Sequence, residues 1–124
     1  MPVTTVVFFM DEERMCPLLA WLDHLPPKAQ DKCIVRIERL RELGHELRRP
    51  EADFLRDDIY ELRTSFQSVN YRMLYFFHQQ TAVISHGLTK QKQVPEREIE
   101  LALRHRKLFE KDPAEYTYEE PDNE

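Results

Sequence analysis

Four cationic side chains lie in or beside a long segment without acidic residues: Arg63, Arg72, Lys90 and Lys92. No Asp or Glu occurs from Thr64 through Pro95. Residues 63–107 hold eight Lys or Arg against three Glu, whereas the whole chain carries a net charge of −5. Because guanidinium and ammonium groups are strong donors to anions, this separation of charge predicts that an anionic ligand binds here.

Two nearby side chains are able to transfer protons, those of His86 and Glu61. Alternation places His86 on one strand face with Ala82, Ile84 and Leu88. Its unperturbed pKa suits catalysis near neutral pH, although a lone His beside a Gly is more often a packing or turn residue. Glu61 is either a base or the ion-pair partner of the arginine that follows it on the same strand face.

Four of these six residues, the two arginines, Glu61 and His86, fall in three short runs, rich in aromatic and β-branched residues and separated by polar turns. The runs are residues 59–63, 71–77 and 82–88. They predict three consecutive antiparallel strands, with Ile59, Glu61 and Arg63 on one face of the first. Both faces carry apolar groups, so both are expected to be covered. An unpaired arginine is costly to bury, so the arginines of the first two strands are expected to line a cleft.

The other segments are predicted to add one strand and three helices around this meander. Residues 3–10 form a continuous apolar run of strand length, and apolar residues recur at helical spacing from about 11 to 25 and from 27 to 43. Residues 45–58 contain a proline and have no clean period, so they are predicted to be a loop. Pro95 opens a last helix. The sequence therefore predicts an α+β fold: an N-terminal strand, two helices, a three-stranded antiparallel meander and a C-terminal helix.

Composition divides the chain into a domain and a tail. Residues 1–109 are predicted to form the domain, and residues 110–124, with a net charge of −6, a flexible acidic tail. The tail follows a basic helix end. We hypothesise that it competes for the cationic surface described above and brings Tyr116 and Tyr118 to it.

Composition also excludes several classes of protein. No apolar run approaches the length of a membrane span, and Met1 to Met10 lacks the basic start and long apolar core of a signal peptide. Cys16 and Cys33 occur without the CxxC or Cys/His spacing of a metal site. We therefore expect reduced thiols in a cytoplasmic protein, and neither a metal nor a cofactor.

Four motifs, in order, resemble those of a known toxin family. They are Tyr-Glu-Leu-Arg at 60–63, Tyr-Arg-Met-Leu-Tyr-Phe at 71–76, His-Gly-Leu-Thr-Lys-Gln-Lys at 86–92 and Pro-Glu-Arg-Glu-Ile-Glu-Leu-Ala at 95–102. Over roughly residues 1–109 the sequence resembles the RelE/ParE superfamily of toxins from bacterial type II toxin–antitoxin pairs, and more closely its HigB-like, phage-derived branch. It departs from that pattern in its sequence pI of about 5.6, since members are usually basic, and in a turn at 64–70 without glycine.

The resemblance implies a RelE-like fold and an endoribonuclease that cleaves messenger RNA in the ribosomal decoding site without a metal. In such cleavage the ribose 2′-OH attacks the neighbouring phosphate. Arg72 matches the arginine of the family's Tyr-Arg-x-x-Tyr strand and, with Arg63, is expected to stabilise the phosphoryl oxygens. Lys90 and Lys92 are expected to hold backbone phosphates. Proton-handling residues vary across this superfamily, so the choice between the two candidates stays open.

The resemblance also implies partners and leaves a second class of function open. Tyr60 and Tyr71 are expected to pack, or to stack on a base of bound RNA. An antitoxin, often a helix-turn-helix DNA-binding protein, is expected to neutralise the chain, and the ribosome and messenger RNA are its other expected partners. The alternative is a non-nuclease on the same fold, either a ParE-like gyrase poison or a domesticated phage binding protein. Catalysis requires Arg72, a second cation and a proton acceptor to converge in one pocket, which a gyrase poison does not require.

Overall fold

The computed structural model describes residues 3–89 and 92–119. In that part of the chain, five strands and three helices occur, with a short 3₁₀ turn at Gly44–Glu46. The elements are β1 (Thr5–Phe8), α1 (Pro17–Leu22), α2 (Pro27–Leu43), β2 (Ala52–Arg56), β3 (Ile59–Phe66), β4 (Val69–His78), β5 (Thr81–Thr89) and α3 (Glu96–Lys111). The predicted α+β class is confirmed.

The five strands form one mixed sheet in the order β1-β5-β4-β3-β2. The predicted antiparallel meander is confirmed as β3-β4-β5, and β1 extends the sheet by pairing parallel to β5. The turn between β3 and β4 consists of Gln67 and Ser68, which both have positive φ. Two such residues give the tight turn that matches strand twist, so the strands reach further into residues 64–70 than the sequence predicts.

The prediction of a loop over residues 45–58 is wrong, because residues 52–56 form the edge strand β2. This strand pairs antiparallel with β3 across a turn at Asp57 and Asp58, both with positive φ. Asp tolerates that conformation better than most residues, and a pair of them between two apolar runs is a hairpin signal. A bulge between Phe54 and Arg56 interrupts the pairing and hides the period of two in the sequence.

Helices cover both faces of the sheet, as expected from the apolar residues on both. On one face, α1 and α2 pack against Leu62, Met73 and Tyr75. On the other, α3 packs against Leu74 and Phe76. The sheet therefore carries two separate hydrophobic clusters, one on each side, whose burial is the main stabilising contribution to the fold.

A bulge in β5 changes which face His86 occupies. Tyr75 pairs with Ile84 and Leu74 pairs with His86, so Ser85 has no partner across the strands. The prediction that His86 shares a face with Ala82 and Ile84 is therefore wrong. One extra residue shifts the alternation, and His86 lies on the α3 side, opposite Leu74.

Gly87, next along β5, is required by close packing. A Cβ atom at this position would lie 2.1 Å from Cε3 of Trp21 in α1. The indole therefore lies directly against the strand backbone, and its Nε1 donates a hydrogen bond to Oγ1 of Thr89 at 3.3 Å. The glycine of the third motif thus serves helix–sheet packing rather than a turn.

The predicted tail contacts the domain along β1 as far as residue 118. The backbone N–H of Met10 donates to the carbonyl of Tyr116, and that of Tyr118 to the carbonyl of Phe8, both at 2.8 Å. The Tyr116 ring also stacks on Phe9. Because β1 and β2 are opposite edges of the sheet, these two tyrosines lie away from the cationic strands, contrary to the hypothesis above. Residues 120–124 lie outside the described residues.

Burial of the two cysteines disfavours their thiolate forms. Cys16 and Cys33 are free and buried, and burial raises the pKa of the Cys33 thiol to about 11. Across residues 3–89 and 92–119, none of the helices has both the length and the apolar character needed to cross a membrane.

Candidate active site

A cavity of about 900 Å³ opens between the β2–β3–β4 part of the sheet and the start of α3. Eight of the side chains that line it are charged, five positively and three negatively. They are Arg49, Arg56, Arg63, Arg72, Lys92, Asp53, Glu61 and Glu96. We call this cavity the basic cleft. Its surplus of positive charge suits an anionic ligand.

Strand register brings the central charged side chains together. Arg63 of β3 pairs directly with Arg72 of β4, and Glu61 of β3 pairs with Asp53 of β2. Residues paired across neighbouring strands point to the same side of a sheet, as do alternate residues of one strand. All four side chains therefore point to the α3 side, into the basic cleft.

Glu61 is the buried carboxylate at the centre of this group. Its side chain is 5% exposed, and its Oε1 accepts a hydrogen bond from Nη1 of Arg72 at 3.2 Å. Nε of Arg63 lies 3.8 Å from the other carboxylate oxygen. Burial raises the pKa of the Glu61 carboxyl, and the positive charges of Arg72 and Arg63 offset part of that rise. The site thus holds a proton acceptor between two cationic donors.

The two arginines differ in how firmly they are held. Arg72 has a side-chain exposure of 12% and a direct hydrogen bond to Glu61, so its guanidinium has a fixed position. Arg63 is 37% exposed, and its contacts with Glu61 and Asp53, at 3.8 and 3.9 Å, are too long for strong hydrogen bonds. Arg63 is therefore free to turn toward a ligand at little cost.

Two further ion pairs stabilise the walls of the basic cleft. Arg49 approaches Asp53 at 2.8 Å, and hydrogen bonding from Arg49 lowers the pKa of the Asp53 carboxyl. Arg56 of β2 pairs with Glu96 of α3 at 2.6 Å and links the two sides of the cleft. Asp53 is therefore a charged structural partner, in contrast to Glu61.

Sequence reasoning missed the contribution of β2 to the cleft. Arg49, Asp53 and Arg56 come from the segment predicted to be a loop, and Glu96 was not among the predicted site residues. The Asp57-Asp58 turn signal was present in the sequence. The bulge that places Arg56 toward α3 had no local signal.

The structure groups only some of the predicted site residues. Glu61, Arg63, Arg72 and Lys92 line the basic cleft, with Lys92 exposed. Lys90 lies outside the described residues. The remaining three candidates, the two tyrosines and His86, are placed elsewhere in the fold.

Tyr60 and Tyr71 point to the opposite side of the sheet from the basic cleft. Tyr71 is buried next to Trp21 of α1, with ring centroids 6.3 Å apart. Tyr60 is half-buried beside Phe54 at the edge of the sheet. Of the two, only Tyr60 has a surface that a ligand is able to reach.

His86 belongs to a buried polar chain between β5 and α3. Its Nε2 lies 3.0 Å from Oε1 of Glu98, and its Nδ1 lies 2.8 Å from Oγ of Ser85. The same hydroxyl lies 2.7 Å from Nδ1 of His105. His105 was not among the predicted site residues, although it follows Ala102 and precedes Phe109 at helical spacing on the buried face of α3. This chain joins the helix to the sheet outside the cleft.

This buried chain predicts that the protein loses stability in mild acid. Burial lowers the pKa of His105 to about 4 and also lowers that of His86, where Glu98 opposes the change. In the unfolded chain these imidazoles bind a proton near pH 6.5. As the pH falls from about 6.5 to 4, the unfolded state binds more protons, so the free energy of unfolding decreases. For His105 alone the loss is on the order of 3 kcal/mol.

Urea unfolding at several pH values measures this loss. His105→Phe keeps the aromatic contact with Phe9 and removes the titrating group, so its stability is expected to change less with pH. His24→Gln removes a histidine from an exposed position. It is the matched control and is expected to retain the wild-type pH dependence. Equal pH dependence in His105→Phe and wild type would assign the loss to other groups.

No metal ligand set accompanies these groups. Within the described ranges, no cluster of three or more His, Cys, Asp or Glu side chains is arranged to hold a metal ion.

One family model matches most of the chain. The model of a family described as "Phage derived protein Gp49-like (DUF891)" matches residues 20–107, more than two thirds of the chain. The matched region runs from α1 into α3 and includes every charged residue of the basic cleft. No curated protein matches the sequence.

Proposed function

This chain belongs to the phage-derived Gp49-like family, and we propose that it is a toxin of a type II toxin–antitoxin pair that cleaves messenger RNA on the ribosome. The family is associated with RelE-like toxins and is compatible with that role. The observation that carries the proposal is the convergence of Glu61, Arg63 and Arg72 in one cleft. A proton acceptor beside two guanidinium groups supplies both a base and charge-stabilising donors for metal-free phosphodiester cleavage.

In the proposed reaction, the Glu61 carboxylate takes the proton of a ribose 2′-OH. The 2′ oxygen forms a bond to the adjacent phosphorus, and the bond from phosphorus to the 5′ oxygen breaks. Water in the open cleft gives a proton to the leaving 5′ oxygen, and the hydroxide that remains takes the proton from Glu61, which regenerates the carboxylate. The products are a 2′,3′-cyclic phosphate and a 5′-hydroxyl end.

The Glu61–Arg72 ion pair lets the charge of the site change in step with the charge of the reacting phosphate. While Glu61 is ionised, it shares the Arg72 guanidinium with an approaching phosphate. When Glu61 accepts a proton its negative charge disappears, just as negative charge grows on the phosphoryl oxygens. Arg72 then transfers its hydrogen bonding to those oxygens, and the more exposed Arg63 adds a second donor.

The basic cleft also supports the proposal of an antitoxin partner. A positively charged concave surface of this kind fits an acidic segment of a second protein, which would cover Glu61 and Arg72. We propose that a helix-turn-helix antitoxin provides such a segment.

Mapping the ends of ribosome-bound messages tests the function. Purified protein added to translating ribosomes is expected to produce cuts with 5′-hydroxyl ends in the message, and none when ribosomes are omitted. Production of the protein in bacteria is expected to arrest growth, and co-production of its antitoxin to restore it. Arrest without message cleavage but with broken or supercoil-altered DNA would indicate a gyrase poison. Absence of both effects would indicate a binding protein.

A further inference from the structure

A second cavity, of about 460 Å³, meets the basic cleft at the edge strand β2. It lies on the α2 side of the sheet, and three residues line both cavities: Arg49, Asp53 and Phe54. Arg48 and Tyr60 also line the second cavity. Because β2 is an edge strand, a bound ligand chain is able to pass around it from one cavity to the other.

Phe54 is an exposed aromatic side chain at the point where the two cavities meet. It is 51% exposed and belongs to neither hydrophobic cluster. Its ring meets that of Tyr60 edge to face, with centroids 5.4 Å apart and planes at 77°. About half of the Phe54 side chain is therefore accessible to a ligand, although core packing does not require an aromatic residue there.

Tyr60 is held in place from behind. Its ring stacks on the buried ring of Tyr75, with centroids 5.4 Å apart and planes at 21°. An aromatic surface fixed in this way loses little conformational freedom when a flat ligand binds to it. Arg48 and Arg49 add positive charge at the same cavity.

We propose that Phe54 and Tyr60 bind the nucleobase next to the scissile phosphate. The proposal rests on the proposed function and adds a base-binding site to the phosphate site. The scissile phosphate lies against Arg63 and Arg72 on the α3 side, the RNA backbone passes over β2, and the adjacent base stacks at Phe54 on the α2 side. Aromatic side chains stack on bases of any sequence, so this site contributes affinity and positions the bound RNA in the cleft without selecting a sequence.

Binding of a 2′-O-methyl RNA hexanucleotide, which has no free 2′-OH and is not cleaved, tests the proposal separately from catalysis. The same backbone with abasic sugars is the comparison ligand. Phe54→Ala is expected to weaken binding of the base-containing ligand by about fivefold or more and to leave binding of the abasic ligand unchanged. Phe54→Leu, which keeps apolar bulk without an aromatic face, is expected to behave like Phe54→Ala, and Phe54→Trp is expected to retain binding.

Val35→Ala is the matched control, since Val35 is a 60% exposed apolar residue on α2 away from both cavities. It is expected to bind both ligands as wild type does. Equal weakening for both ligands, wild-type binding by Phe54→Ala, or full binding by Phe54→Leu would each overturn the stacking site.

Message cleavage by the wild-type protein separates the two proposals. If the wild-type protein cleaves message but Phe54→Ala binds the base-containing ligand normally, the base site is wrong and the nuclease function stands. If the wild-type protein binds bases through Phe54 but does not cleave message, the base site stands and the nuclease function is wrong.

Discussion

Arg72→Ala is expected to lower the rate of message cleavage on ribosomes by about a hundredfold or more. Arg72 is the least exposed arginine of the Glu61 group and has the shortest contact with that carboxylate. In our proposal it supplies a fixed positive donor to oxygens that gain charge in the transition state, and loss of one such donor typically costs about a hundredfold or more in rate. The measurement is the rate at which mapped 5′-hydroxyl ends appear.

Stability must be measured beside activity, because Arg72→Ala leaves the Glu61 carboxylate buried without its nearest partner. Rates are therefore compared per folded molecule. Arg72→Lys keeps the charge but not the planar set of donors, and an intermediate rate is expected. Arg41→Ala, which removes an exposed arginine paired with Glu38 on α2, is the matched control. Wild-type cleavage by folded Arg72→Ala would make Arg72 only an ion-pair partner and would contradict the mechanism.

Glu61→Gln is expected to reduce cleavage by roughly a hundredfold or more, since it preserves shape but removes the proton acceptor. It is also expected to change the pH profile. The wild-type rate should rise with pH through the pKa of Glu61, which burial raises above the usual range, because only the ionised carboxylate accepts the proton. The glutamine variant has no such group and should lose this rise.

The same experiment decides between Glu61 and His86, the two proton-transfer candidates that the sequence provides. His86 lies outside the basic cleft and is bound to Ser85 and Glu98, so folded His86→Gln is expected to cleave at close to the wild-type rate. A large loss in His86→Gln together with normal cleavage by Glu61→Gln would make His86 the proton acceptor.

Much of the fold follows from local patterns in the sequence. Alternation in residues 59–63 correctly places Ile59, Glu61 and Arg63 on one face, because side chains of a strand point alternately to its two sides. The apolar spacing of residues 29, 33, 34, 37 and 40 likewise predicts the buried side of α2 for four of the five, whereas Ile34 is 49% exposed. These predictions succeed because each depends on the geometry of a single element.

The sequence by itself also determined part of the candidate site. An arginine among apolar neighbours requires an anionic partner or water, so Arg63 and Arg72 were predicted to line a cleft, and strand pairing then brings them opposite each other. The grouping of Glu61 with Arg63 followed from strand alternation. Its nearest partner, however, is Arg72 on the next strand rather than Arg63 on its own.

Only the tertiary structure decided the rest. An unpaired Ser85 moves His86 to the other face of β5, pairing with β3 turns residues 52–56 into a strand, and contacts with β1 place Tyr116 and Tyr118 far from the cleft. Each of these outcomes depends on the register between segments that are distant in sequence. Register is fixed by the total packing of both faces, and a shift of one residue reverses every side chain that follows. Local periodicity therefore identifies the charged residues of this chain, whereas strand pairing determines which of them meet.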